Sequence, residues 1–440
     1  MEKLVLGLMF FVFIFSGCSN DSMFLESKDT YEIKKDIEYE SVVEKIIDFS
    51  KTHSDSPNIT VRSSDLGDNM VILNSKKKTY SFDLDSIIQN SKRNNEIKLR
   101  TSQLEDESEI SVYTIEFKKN GTKGFAIATS DERIKGGVYA YTPYGELSDT
   151  TYNLGLKWTL HQIERICELE LIHYYSNDKE ASTIKRAAAV SSERLLIEPL
   201  TGLTWNQTAP YNNYVPLNCS NLYWTYNGKA YAGCTAISCA QVIAYLSPFA
   251  IRDQYELEYI KSRRYLTGDP DYPSVTDANK VARFISYVGD VVGMDYKCSG
   301  SSAAIKNIIP KLQEWEIRSE HRKDENVDLS RLAYNLSLGY PHITSGIDKS
   351  TKSGHSWIWE GIDCYVTGLD FLNGKYNIAS SPSVQLYCNW GWGGSSNGWY
   401  ANFEEPIDDI TGKRISWYVD DNCQLYIYNM RKGGGRPPRQ

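Results

Sequence analysis

The 440-residue chain contains no P-loop, no dinucleotide-binding glycine fingerprint, no HExxH and no paired CxxC. Nucleotides, NAD and structural zinc therefore have no footing in it, and neither a metal nor another cofactor is expected. Basic residues are outnumbered, 48 Lys and Arg against 56 Asp and Glu, and the formal charge of −8 argues against nucleic acid as a main partner. Membrane-length apolar runs are missing too; the stretch Leu4–Phe15 is too short to span a bilayer. Histidine is scarce at six residues, which narrows the choice of any catalytic base. Against these absences stand 41% hydrophobic and 24% charged residues, the balance of a globular protein with room for two or three cored domains.

Lys3 precedes the apolar run, which ends in Phe15-Ser16-Gly17-Cys18. This resembles a bacterial lipoprotein signal, although Phe15 stands where Leu is commoner and Glu2 dilutes the basic start. The resemblance implies export, cleavage before Cys18 and a lipidated Cys18, with the protein held at the periplasmic or cell-surface side of a membrane only by that anchor. Eight cysteines follow Cys18 without a framework spacing; in an oxidising compartment some could pair, in a connectivity the sequence leaves open.

Ser19 to about Glu38 is polar and reads as a tether. Val42, Val43, Ile46 and Ile47 recur at helical spacing within Glu40–Phe49. From Asn69 to Leu147, short alternating runs separated by Lys-, Asn- and Gly-rich turns predict an antiparallel sheet of hairpins. Thr151–Tyr175 reads as one helix, with Leu154, Trp158, Ile163, Ile166, Leu169 and Ile172 on one face. Asn177–Glu193, rich in Lys, Ala and Ser, is an exposed linker; Lys185, Arg186 and Glu193 mark a region suited to cleavage. Helices are expected over Tyr255–Tyr265, Val275–Val292 and Leu329–Leu338, and a stripe interrupted by Pro310 over Ala303–Glu316. From Tyr340 the pattern is strand-rich, so two unlike lobes are expected, and Gly433 onward is a tail.

The stretch YAGCTAISCAQVIAYL, Tyr231–Leu246, is apolar on nearly every face and is followed by Pro248, as a buried helix would be. Cys234 then sits in its first turn, where unpaired N–H groups and the helix dipole favour a thiolate. Taken alone, such a cysteine is more simply a small buried apolar side chain. A nucleophile needs a base, a group to orient that base and an oxyanion donor. His355, in Ser353-Gly354-His355-Ser356-Trp357, is the best base, with small neighbours that leave room for a substrate; His342 is its rival. Asn389 and Trp390 open NWGWGGSSNGWY, where an Asn oxygen could fix the imidazole and an indole could shield it. Gln207, in TWNQTAP, could donate an amide N–H to the oxyanion beside the Cys234 N–H. Trp392 could equally be filling core.

The order Gln–Cys–His–Asn is papain-like, but the papain motif CGSCW is absent. WNQTAPYN, AGCTAISCAQVIAYL, GHSWIWEGID and NWGWGGSSNGWY together resemble the streptopain family of cysteine peptidases, and Gly121–Gly145 is similar to that family's propeptide. The likeness runs from about Gly121 to the C-terminus. Thr235 and Ile237-Ser238-Cys239 depart from the family's usual small aliphatic choices behind the nucleophile. The resemblance implies an α+β fold: a two-lobed papain-like domain with a helical lobe and an antiparallel β lobe, preceded by an α+β propeptide. The expected boundaries are signal 1–17, tether 18–38, inhibitory propeptide 39–190, catalytic domain 191–432 and tail 433–440. Residue by residue, it implies Cys234 as nucleophile, His355 as general base and acid and Gln207 as oxyanion donor, with the third position at Asn389 or Trp390. Gly233, Ser353, Gly354 and Trp392 are expected to border the substrate. The expected activity is that of a zymogen endopeptidase acting on proteins or peptides, with its own propeptide as intramolecular inhibitor. Transglutaminase-like acyl transfer and a non-catalytic surface-binding lipoprotein are the alternatives.

Overall fold

The computed structural model describes residues 37–53, 70–83, 108–134, 136–177, 192–219, 227–263, 275–322, 328–347, 353–370, 375–378, 384–402 and 423–430. The signal, the tether up to residue 36, Lys185, Arg186 and the tail lie outside the described residues; residues 37 and 38 of the expected tether belong to the first helix. From Glu38 onward the chain forms one compact unit.

Helix α1, Ile37–Thr52, carries Glu38 and Glu40 in its first turn and Lys51 in its last, each sign favourable to the helix dipole. Its buried residues Val42 and Ile46, one turn apart, pack against Tyr113, Ile115 and Phe117 of the sheet. Strands β1 (Met70–Ser81), β2 (Glu109–Lys119), β3 (Thr122–Ala128) and β4 (Val138–Thr142) pair antiparallel in sequence order. Asn120 and Gly121 join β2 to β3 with φ of 50° and 87°, the left-handed pair that a tight two-residue hairpin requires. Two apolar runs that read as separate strands form the single β1, whose pairing with β2 continues through a register shift between Ile72 and Asn74.

The single helix expected over Thr151–Tyr175 is two: α2, Leu154–His161, and α3, Ile163–Asn177. At the junction, the Gln162 N–H bonds the Thr159 carbonyl three residues back, which interrupts the α-helical ladder. The Asn153 side chain caps α2 by accepting from the Leu156 N–H at 3.0 Å.

Strand β5, Glu193–Ile197, pairs with β8. Helix α4, Cys234–Leu246, is buried on ten of its residues and lies against α7, Val275–Val292, in one apolar cluster with Trp205 and Trp315. Short helices α5 (Phe249–Arg252) and α6 (Leu257–Ile260) lie between them. The helix expected over Tyr255–Tyr265 is thus cut to α6, starting after Glu256 in left-handed conformation. Pro310 does not interrupt a helix: it occupies the first turn of α8, Ile309–Glu314, where a missing N–H costs nothing. Helix α9, Leu329–Ser337, is capped by Asp328.

The remaining strands are β6 (Ile317–Arg322), β7 (His342–Ile347), β8 (Gly354–Asp370), β9 (Lys375–Ile378), β10 (Val384–Asn389), β11 (Gly398–Asn402) and β12 (Cys423–Met430). The order is β1-β2-β3-β4-β11-β10-β8-β7-β12-β6, with β5 and β9 also on β8, and the pairs are antiparallel. Strand β4 of the expected propeptide meets β11 at Tyr141↔Trp399 and Ala140↔Tyr400, so one sheet runs through both halves of the chain. Every residue of β4 is buried as a result. A disulfide joins Cys219 to Cys298 across 79 residues, tying the segment before α4 to the turn after α7. Among the described residues, no helix is long and apolar enough to cross a membrane.

Candidate active site

Cys234 is the first residue of α4, and its backbone is set by Gly233 at φ 91°, a conformation open to glycine. A side chain at Gly233 would also collide with Met294. Burial pushes the Cys234 thiol above its ordinary range, and hydrogen bonding from the main chain of Ser356 and Thr235 acts against that shift. One turn further, Cys239 is fully buried and pushed up to about 12 by desolvation, as an inert core thiol would be.

Gln207 is buried and fixed through its main chain: its N–H donates to Asn206 Oδ1 at 2.7 Å and its carbonyl accepts from the Ala232 N–H at 2.9 Å. Its Nε2 is buried without a hydrogen-bond partner. A buried donor left unmatched is costly unless a ligand completes it.

His355 lies near the start of β8, after exposed Gly354 and half-buried Ser353. Its Nε2 is 3.1 Å from the Trp390 carbonyl oxygen. A carbonyl only accepts, so Nε2 carries the proton and Nδ1 of the neutral ring is left as the basic nitrogen. The ring stacks on Trp357, Trp390 and Trp392 at centroid distances of 6.0, 6.4 and 6.4 Å. Desolvation lowers its pKa from 6.5 to about 4, partly opposed by the Trp390 carbonyl. Among the described residues, no hydrogen bond joins His355 to the Cys234 sulfur.

The two expectations for the third position separate in space. Trp390 provides the carbonyl that meets His355, while its own N–H and indole N–H bond Asn397 and the Ser396 carbonyl. Asn389 points elsewhere: its amide donates to the Leu203 carbonyl at 2.7 Å and to Glu360 at 3.1 Å, and its oxygen accepts from the Gly391 N–H. Asn389 thus braces the two loops that carry Gln207 and Trp390. Trp392 stands between Tyr231 and Tyr152, edge-to-face with each at 6.0 and 5.3 Å. His342, the rival base, is stacked on Trp359 in the core, and burial takes it down to about 3. Among the described residues, no group of three or more His, Cys, Asp or Glu could hold a metal.

The sequence reading expected the propeptide to act on this site but did not single out the residues of that half that pack against it. Helix α2 begins against it: a Cβ on Gly155 would lie 2.5 Å from the Trp390 ring and 2.9 Å from His355 Cδ2. Just before α2, Asp149 accepts hydrogen bonds from Ser395 and Ser396 at 2.6 Å each, and the Ser396 N–H donates to the Tyr144 carbonyl at 2.7 Å. Residues 144–155 therefore grip the loop that presents Trp390. The available signal was Gly155 itself, a poor helix former in a helix's first turn, which often marks a close approach.

No curated protein matches the chain. The model of the Peptidase C10 family matches residues 205–400, the stretch that holds Gln207, Cys234, His355, Asn389 and Trp390. Over that stretch the chain is similar to the Peptidase C10 family, the streptopain family of cysteine peptidases, and the match supports a cysteine-type endopeptidase.

Proposed function

We propose that the protein is an exported, lipid-anchored zymogen in which a propeptide spanning about 39–190 covers a two-lobed papain-like domain until it is cut near Lys185–Glu193. The observation that carries this reading is the packing of Gly155, in the expected propeptide, against the Trp390 ring and the Cδ2 edge of His355. The apolar leader before Cys18 and the Cys219–Cys298 disulfide support export to an oxidising compartment.

Once α2 is withdrawn, His355 is rehydrated and its Nδ1 takes the Cys234 proton, while the Trp390 carbonyl holds the ring through Nε2. The thiolate attacks the peptide carbonyl. Gln207 Nε2 and the Cys234 N–H receive the oxyanion, which gives the unmatched amide its partner. His355 then protonates the leaving amine, and a water deprotonated by His355 releases the acyl-enzyme. Proteins or peptides in extended conformation are the substrates, bordered by Gly233, Ser353, Gly354 and Trp392.

The test is to cut the linker of the leaderless chain with an added protease and assay hydrolysis of unfolded casein. The expected result is turnover by the cut wild type and none by cut Cys234→Ala. Amide transfer to an added amine in preference to water would replace hydrolysis with acyl transfer. A folded, cut wild type that does neither would overturn the catalytic reading.

A further inference from the structure

Behind the nucleophile lie two buried hydroxyls that the mechanism above does not use. Ser238 and Ser356 are each 1% exposed, and their oxygens are 2.9 Å apart. Ser356 Oγ is 3.1 Å from the Thr344 carbonyl, which can only accept, so the Ser356 proton goes there. The bond between the serines is then made by the Ser238 hydroxyl donating to Ser356 Oγ. The Thr235 carbonyl, 3.2 Å from Ser238 Oγ, is its weaker competitor. The chain of hydroxyls crosses three elements, from α4 through β8 to β7.

Its ends matter for the chemistry. Ser238 stands four residues after Cys234, on the same face of α4. Ser356 follows His355 directly on β8, so its hydroxyl contact with Ser238 ties the strand that carries His355 to the helix that carries Cys234. Packing alone does not require hydroxyls here. A pair of alanines would fill nearly the same volume, and a buried hydroxyl is unfavourable unless bonded.

We propose that Ser238 and Ser356 are positioning residues, whose hydrogen-bonded hydroxyls lock β8 onto the nucleophile helix and hold His355 in register with Cys234. The proposal rests on Cys234 and His355 being the reacting pair. Neither serine touches substrate; both act through the placing of the strand.

The experiment compares the cut, active enzyme with its Ser238→Ala, Ser356→Ala and doubly substituted forms. Alanine favours the helix, so Ser238→Ala folds and carries the test even should Ser356→Ala not. The readouts are kcat and KM separately, the acidic limb of the kcat/KM profile, and the pH dependence of Cys234 alkylation by iodoacetamide. The expected result for Ser238→Ala is a kcat lower by about tenfold at nearly unchanged KM. Its acidic limb and alkylation profile move together to higher pH, because a His355 out of register with Cys234 stabilises the thiolate less. The double variant is expected to be no worse than the poorer single one, since the two hydroxyls form one unit. A lower melting temperature with unchanged kcat and pH profiles would reduce the pair to packing and overturn the proposal. Single losses that simply multiply would overturn it as well. Full turnover by Cys234→Ala would overturn this proposal together with the catalytic reading, whereas loss of turnover there with an unaltered Ser238→Ala overturns the positioning role alone.

Discussion

At the scale of single residues, side-chain identity carried part of the site and left out the rest. Cys234, His355 and Gln207 could be singled out in the sequence because the chemistry expected of them resides in their side chains. The group that meets His355 is the Trp390 carbonyl, which any residue could provide, so the sequence could not separate Trp390 from Asn389. The two neighbours should now respond differently to substitution. Asn389→Ala takes the amide donor from the buried Glu360 Oε1 and removes a brace, so its main effect is a loss of stability of about 1–3 kcal/mol in urea unfolding of the precursor. Gln207→Ala leaves stability nearly unchanged, because the lost amide nitrogen had no partner, but lowers kcat of the cut enzyme by about 10²-fold. A Gln207→Ala enzyme with full kcat would exclude the amide from the oxyanion site.

At the scale of elements, periodicity located most helices and strands, and the departures have local causes. Apolar spacing cannot reveal the break at Gln162, because the same stripe continues across it. Pro310 was ambiguous because a proline that ends one helix and a proline that begins another look alike in sequence. The packing of α2 was invisible for a further reason: Gly155 meets residues some 200 positions later in the chain, a contact that local pattern does not encode. That contact makes a sharp prediction. Gly155→Leu overfills the junction with Trp390 and His355, weakening the α2 seat by about 1–3 kcal/mol. The uncut variant should therefore be alkylated at Cys234 faster than the uncut wild type. Equal alkylation rates would mean that α2 does not control access to the thiol.

At the scale of the whole molecule, the strand pairing of β4 with β11 joins the expected propeptide to the catalytic domain through main-chain bonds as well as side chains. The alternating runs predicted both sheets, but not that they would merge, since edge-to-edge pairing depends on backbone and shape more than on sequence. The merged state also predicts a pH dependence. His355 takes up its proton from about pH 6.5 downward when uncovered, but only near 4 when packed. The packed state thus keeps this advantage above 6.5 and loses it as the pH falls toward 4. His342, held down to about 3, acts in the same sense on unfolding, and Glu360, raised by burial, in the opposite one. The urea midpoint of the Cys234→Ala precursor should fall between pH 7 and pH 5, and the fall should shrink in a Cys234→Ala, His355→Gln chain. An equal fall in both would remove His355 from the account.

The most direct test of the central claim, a cysteine peptidase held latent by its own N-terminal half, is intact mass over time. The leaderless wild type and Cys234→Ala are incubated side by side under mild reductant, and casein hydrolysis is followed in parallel. The account predicts that the wild type shortens near Lys185–Glu193 and becomes active as it does so, while Cys234→Ala stays whole unless a trace of active enzyme is added. Full casein hydrolysis by the uncut wild type, with no change in mass, would contradict latency.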